Sequence, residues 1–308
     1  MGNRLFIIGN GFDLAHKLPT DFKTDFKRIA EVNESISYFW DIYQTEKTNI
    51  WSDFEYCLGR PDFNSLEEIF DGYGPDYLSE HESDRDAIIT QVDINGNLKR
   101  SLYEFAETAE NAISNRSPLE KYSKLFIEGD YFVNFNYTHT LERLYGIKER
   151  NVLHIHGEVG KNILVLGYPK GQYFPEKYLY DVRQKGRGPY RECDIREFVD
   201  EMAGKGNFDY YTYSAYKALI QKTESFNKEY QITSFASFLN GKTIDEIIII
   251  GHSCKIDFDY FQYLDKVFPL AKWVFNPFTD EDAGNIAKLI NDINVQNYRI
   301  NPISYKSV

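Results

Sequence analysis

Leu5-Phe6-Ile7-Ile8-Gly9-Asn10-Gly11-Phe12-Asp13 opens the chain with a short apolar run that ends in Gly-x-Gly and passes into helical spacing. Four consecutive apolar residues bounded by a turn read as a strand buried on both faces. Five further runs have the same character: Tyr131–Phe135, Val152–Ile155, Ile163–Leu166, Glu246–Ile250 and Trp273–Phe275. Stretches of helical periodicity separate them. Thr20 to Val32 sets Phe22, Phe26 and Ile29 on one face, and Ser65 with Glu68 makes a capping box. Leu98 to Ile113 is amphipathic, Thr138 to Tyr145 is closed by Gly146, and Ser225 to Leu239 is closed by Gly241. Apolar strands alternating with helices predict an α/β fold: a Rossmann-like, mostly parallel sheet with helices on both faces. The uneven spacing predicts one domain over residues 1–308, with large helical insertions at about 20–125 and 170–243. The Tyr-, Gly- and Pro-rich segment 170–212 reads equally as a lid, a partner surface or a plain surface excursion.

Bulk properties narrow the function. At 308 residues and 42% hydrophobic, the chain can bury a sizeable core. A net charge of −12, with Lys and Arg scattered, argues against nucleic-acid binding. Three distant cysteines, Cys57, Cys193 and Cys254, form no C-x-x-C and no disulfide framework, which fits a reducing compartment. No window is long and apolar enough to span a membrane, and Leu5–Ile8 is too short for a secretory signal, so a cytoplasmic location without a membrane partner is expected.

Ligands of open α/β sheets bind beyond the carboxyl ends of the strands. The residues at those ends are Gly9-Asn10-Gly11-Phe12-Asp13, Asn136-Tyr137-Thr138-His139, His156-Gly157, Gly167-Tyr168, Gly251-His252-Ser253 and Asn276-Pro277. Turns explain Gly, Asn and Pro but do not demand histidine, and five of six histidines (His16, His139, His154, His156, His252) lie in or beside these segments. Gly9-Asn10-Gly11 suits close backbone approach to phosphate, although a tight structural turn explains it equally well. His154-x-His156 points both imidazoles to one face of a strand, but no carboxylate or cysteine at familiar spacing completes a zinc set, so no metal is expected. Asp257 and Asp259 read as ligands or, more simply, as acids opening a helix. Cys254 reads as a buried thiol rather than a nucleophile. Ser253 lacks the G-x-S-x-G elbow of hydrolases.

Four segments together resemble the AbiH family of phage abortive-infection proteins: Leu5–Thr20, Trp51-Ser52-Asp53-Phe54-Glu55, Phe135–Glu142, and Gly251-His252-Ser253 with Asp257–Phe261. Lys17 stands where that family typically has glycine. A more distant likeness is to sirtuins and sirtuin-like NAD-cleaving domains, carried by Gly9–Asp13, Leu18-Pro19, Asn136-Tyr137-Thr138, His156-Gly157 and Gly251-His252-Ser253. Asp13 stands in place of the sirtuin serine and Thr138 in place of its aspartate, and the zinc-ribbon cysteines of deacetylating sirtuins are absent. The resemblance implies an antiphage protein that binds NAD or a related nucleotide as substrate and hydrolyses its nicotinamide–ribose bond. Asn136 and His156 would be catalytic. Gly9, Asn10, Gly11, Phe12, Asp13, Gly157, Gly251, His252 and Ser253 would hold NAD, with the Gly9 and Gly11 amides facing the pyrophosphate. A phage-derived protein would be the trigger, and homo-oligomerisation stays open. Two alternatives remain: a non-catalytic nucleotide-binding sensor that binds a phage or host protein, and a metal-dependent nuclease built on Asp13, Asp53, Glu55 and Asp257.

Overall fold

A computed structural model describes residues 3–32, 42–43, 50–63, 95–161, 163–169, 178–181 and 190–302. The chain forms two compact units, residues 1–21, 102–166 and 229–308, and residues 22–101 and 167–228. The Ser65–Glu68 capping box and His81 lie outside the described residues.

The first unit carries a six-stranded sheet: β1 (Arg4–Ile8), β2 (Tyr131–Asn134), β3 (Val152–His154), β4 (Glu246–Ile250), β5 (Lys272–Asn276) and β6 (Tyr298–Ile300). Its order is β6-β5-β4-β1-β2-β3, and every neighbouring pair is parallel. This is the doubly wound order 3-2-1-4-5-6 of Rossmann-like folds, and its direction reverses between β1 and β4.

Side-chain alternation explains the continuous apolar strands. Leu5, Ile7, Val133, Ile247, Ile249, Trp273 and Phe275 enter one core. It also takes in residues of α4 (Ile232–Leu239), α5 (Phe258–Val267) and α6 (Asp280–Ile293). Phe6, Ile8, Phe132, Ile248, Ile250 and Val274 enter a second core on the opposite face. There they meet Phe12 of α1 (Asn10–Ala15), Tyr122, and Leu141 of α3 (Thr140–Tyr145). The amphipathic helix α2 (Asn95–Ala112) buries Leu98, Leu102, Phe105 and Ala109, as its spacing requires.

The second unit contains the π-helical turn Phe22–Phe26, which runs into the helix Lys27–Glu31, and the helices Phe54–Leu58, Ile195–Gly204 and Tyr210–Ser225. An antiparallel pair joins Tyr178–Asp181 to Tyr190–Cys193. Trp51-Ser52-Asp53-Phe54-Glu55 serves packing here. Trp51 stacks on Phe54 at 5.7 Å, Phe26 meets Phe54 edge-on at 4.9 Å, and Glu55 accepts from buried Lys228 and from the Gly167 amide.

Three local expectations need correction. Ile163–Leu166 is not a strand: Ile163 is exposed and only Leu164 is buried, while the neighbouring Tyr168–Pro169 pairs with Asn227–Lys228 in a separate two-stranded sheet. Ser225 ends one helix rather than starting another, because Asn227–Lys228 is extended and the next helix begins at Ile232. The helix expected from Thr138 begins at Thr140, and the Thr138 hydroxyl donates to Asp13. No described helix is long and apolar enough to cross a membrane.

Candidate functional site

The residues expected to be catalytic or to hold NAD all belong to the first unit and lie along the carboxyl edge of its sheet. At the reversal between β1 and β4 the two turns touch backbone to backbone. The Gly9 amide donates to Ile250 O at 3.0 Å and the Gly11 amide to Gly251 O at 2.8 Å. A Cβ on Gly9 would lie 2.5 Å from Gly251 O, and one on Gly11 2.8 Å from Gly251 Cα. Gly251 itself has φ +66°, in the left-handed region that favours glycine. The Gly-x-Gly signal therefore marks a close approach of two turns. The Gly9 and Gly11 amides expected to face a pyrophosphate are spent on the end of β4.

Asn136, buried past the end of β2, ties that strand to the same turn, since its Nδ2 donates to Gly9 O at 3.2 Å. Its own amide donates to Asn134 Oδ1 at 3.0 Å. Beside it lies a group of two imidazoles and one carboxylate. His156 Nε2 is 3.6 Å from Asp257 Oδ1, and His252 Nε2 is 3.7 Å from Asp257 Oδ2. All three side chains are at least nine-tenths buried. Both distances exceed a hydrogen bond. His156 Nε2 has no hydrogen-bond partner among the described residues, which is costly for a buried polar atom. The Cys254 amide donates to His252 Nδ1 at 3.0 Å, so the proton of neutral His252 sits on Nε2, toward Asp257. Phe135 meets both imidazoles edge-on, at 5.2 and 4.5 Å between ring centres. Asp257 and Cys254 both have positive φ, at 67° and 57°. Non-glycine residues held there cost of order 1–3 kcal/mol and concentrate at functional sites.

Asp13, 1% exposed, accepts from Thr138 Oγ1 at 2.5 Å and Thr140 Oγ1 at 2.8 Å. Burial pushes its carboxyl up to about 6 against the pull of these two hydroxyls. Asp13 and Thr138 are thus direct partners.

The other expected residues divide. Asn10 donates to Thr20 O at 2.8 Å and Ser253 Oγ accepts from the Lys255 amide at 3.4 Å, which are local turn bonds. Phe12 is fully buried in an aromatic group with His16, Tyr122 and Tyr145. His16 is a core histidine: Nδ1 meets Phe12 O, Nε2 meets the Tyr145 hydroxyl, and burial lowers its pKa. A Cβ on Gly157 would strike Ile163 O, so that glycine accommodates the returning chain. Cys254 is an inert thiol, pushed far up by burial. His154 and His156 do not share an environment, because β3 ends at His154 and its strand alternation ends there too. His154 turns to Glu142 at 2.9 Å, away from Asp257.

Sequence reasoning passed over Asp257 as the partner of His156, and Glu110, Glu142 and Glu158 altogether. Glu110 left a readable signal, as a carboxylate on the apolar stripe of α2. The others are set by backbone turns that spacing does not reveal. A cavity of about 360 Å³, lined by Phe126, Asp130, Tyr145 and Lys148 among others, opens near the amino ends of β2 and β3. That is the wrong edge for ligands of a doubly wound sheet. Of the nuclease set, Asp13 and Asp257 belong to the first unit and Asp53 and Glu55 to the second; among the described residues, the group with ligand atoms close enough for a metal is His139, His154 and Glu158.

The profile of the family described as bacteriophage abortive infection AbiH matches residues 5–276, which takes in every strand of the sheet except β6. The chain belongs to the AbiH family. Membership places it in antiphage defence of the abortive-infection type. No curated protein matches it. In this AbiH chain the matched span contains both turns of the strand-order reversal and the whole His156–Asp257–His252 group.

Proposed function

We propose that this AbiH protein binds NAD at the carboxyl edge of its sheet and hydrolyses the nicotinamide–ribose bond. The observation that carries the reading is His156 Nε2, buried without a hydrogen bond and 3.6 Å from Asp257, at the edge where doubly wound sheets hold nucleotides. Water adds to ribose C1′ while the C1′–N bond breaks, and its electron pair leaves with the ring. The nicotinamide ring of NAD is cationic and departs neutral, so no acid is needed. A base must take the water proton, and His156 does so. Asp257 then faces a new imidazolium across a low-dielectric gap and stabilises it. Asn136 orients the water or a ribose hydroxyl, held in place by Gly9 O. The sirtuin likeness at Asn136 and His156-Gly157 supports these roles. With the Gly9 and Gly11 amides engaged, NAD enters only if the Gly251 turn moves. That fits a toxic activity restrained until infection.

The test is chromatography of NAD incubated with purified protein, and with extract of phage-infected cells expressing it, wild type beside His156→Ala. Nicotinamide release by wild type, reduced about 10²–10⁴-fold in the variant, is expected. No release by wild type in either setting would remove NAD cleavage, leaving a sensor that binds nucleotide without chemistry.

A further inference from the structure

His139 stands immediately before α3, Glu142 lies in its first turn, His154 ends β3, and Glu158 follows four residues later. Their tips converge. His139 Nε2 is 2.8 Å from Glu158 Oε2, and His154 Nε2 is 3.8 Å from that oxygen and 2.9 Å from Glu142 Oε1. One ligand atom from each of His139, His154 and Glu158 lies within 4.8 Å of the other two. Ligand atoms at about 2.0–2.1 Å from a tetrahedral zinc are about 3.3 Å from one another, and the observed spacings bracket that value.

The outer contacts decide what the imidazoles offer. His139 Nδ1 donates to Glu110 Oε1 at 3.0 Å, and His154 Nδ1 donates to the carbonyl oxygen of Asn136 at 3.3 Å. With Nδ1 carrying the proton, each ring in its neutral form turns its lone pair inward on Nε2; without an ion, the Glu110 and Glu158 carboxylates raise the His139 pKa to about 9 and favour its protonated form. Metal-binding histidines are oriented in this way, one nitrogen on the ion and the other on a carboxylate or backbone carbonyl. Glu110 is fixed in turn by the His139 amide at 2.8 Å and by Arg143 at 3.0 Å. Glu142 Oε2 is buried without a hydrogen-bond partner among the described residues. The side chains of Glu110, Glu142 and Glu158 are only 6%, 12% and 14% exposed. The nearby cations, Arg143 on Glu110 and Lys161 on Glu158, are 52% and 47% exposed and screened by water.

We propose that His139, His154 and Glu158 form a site for a divalent transition-metal ion, with zinc the best match, and that Glu142 borders it through His154. Two imidazoles select against magnesium and calcium, which prefer oxygen alone. Three protein ligands leave the fourth position to water. The ion would lock His154 onto the Asn136 carbonyl and so fix the turn that carries Asn136. The site stands on its own residues and does not depend on NAD.

The test uses tag-free, full-length protein stripped with chelator, reloaded with Zn²⁺, desalted and assayed for metal by mass spectrometry. Competition with a chromophoric chelator gives the affinity. Wild type is expected to hold one ion per chain, and Co²⁺ to give the visible absorption of a four-coordinate nitrogen–oxygen site. His139→Ala and Glu158→Gln should each bind at least about tenfold more weakly. Glu158→Gln preserves shape and serves if His139→Ala fails to fold, with metal-free thermal melts as the check on folding. Substoichiometric metal in wild type, or unchanged affinity in folded Glu158→Gln, overturns the proposal.

Discussion

His154 and His156 are separated by one residue and face opposite problems. His154 has a partner on each nitrogen, the Asn136 carbonyl on Nδ1 and Glu142 on Nε2. His156 keeps a buried Nε2 with no hydrogen bond, short of Asp257 by less than 1 Å of ordinary bonding distance. An imidazole bonded through both nitrogens is held in one orientation, whereas an unsatisfied buried nitrogen costs stability and persists where a ligand or a proton completes it. In the proposed mechanism, one imidazole holds structure and the other does the chemistry.

The sharpest way to break this comparison is Asp257→Asn. The substitution keeps the shape of the side chain and removes the charge that an imidazolium at His156 would face. Nicotinamide release should fall about 10²-fold or more, with the metal content unchanged. Activity retained within a few-fold would take Asp257 out of the account and leave His156 without its partner.

Next in size is Gly251→Ala, which tests the backbone closure of the strand-order reversal. The added Cβ would run into Phe12 N and the Gly11 backbone, at a φ of +66°. Overpacking of this kind costs about 1–3 kcal/mol or more, with further strain from the positive φ. Urea unfolding should show a loss of at least about 2 kcal/mol. A loss below about 0.5 kcal/mol would mean that the two turns part easily and that the crevice is not held shut by them.

Much of the first unit was legible because its strands are buried on both faces. A run such as Ile247–Ile250 has no other stable use, and the expected bounds of β4 match the observed ones. The edge strand β6 was missed because Tyr298, Arg299 and Ile300 are exposed and lack the apolar run of an inner strand. Ile163–Leu166 misled for the converse reason. It is apolar, yet what fixes it is the turn at Gly157 and bonds from the Val165 amide to His156 O, from the Tyr137 hydroxyl to Val165 O and from the Leu164 amide to the Tyr103 hydroxyl. The sheet edge on which the candidate residues lie was legible, and their contacts were not. Residues at strand ends follow from fold class, so Asn136, His156 and His252 could be named. Which nitrogen meets which carboxylate depends on where β3 ends and on the positive φ of Asp257, and neither leaves a periodic trace. His16 shows the limit: at the right edge by sequence, it belongs to the aromatic core.

The smallest effect expected separates two buried carboxylates. For Glu110, burial opposes ionisation, but the ring and amide of His139, with Arg143, outweigh it and hold the carboxyl below its ordinary value. Asp13 has only the hydroxyls of Thr138 and Thr140, so burial wins and lifts it from 3.8 to about 6. A raised folded-state value means that the folded protein holds this proton more tightly than the unfolded chain. The stability it contributes is full below about pH 4 and is lost as pH rises through about 6. The loss is about 1–3 kcal/mol, since one pKa unit corresponds to about 1.4 kcal/mol. Asp13→Asn cannot titrate and keeps an oxygen toward the two threonines. Its unfolding free energy relative to wild type should therefore improve by about 1–3 kcal/mol between pH 4.5 and pH 7.5, because every other group cancels in the difference. Parallel pH profiles for the two proteins would show that Asp13 ionises as readily folded as unfolded. Hydroxyl partners would then hold a buried carboxylate as well as imidazole does, and the contrast between the two regions would lose its electrostatic basis.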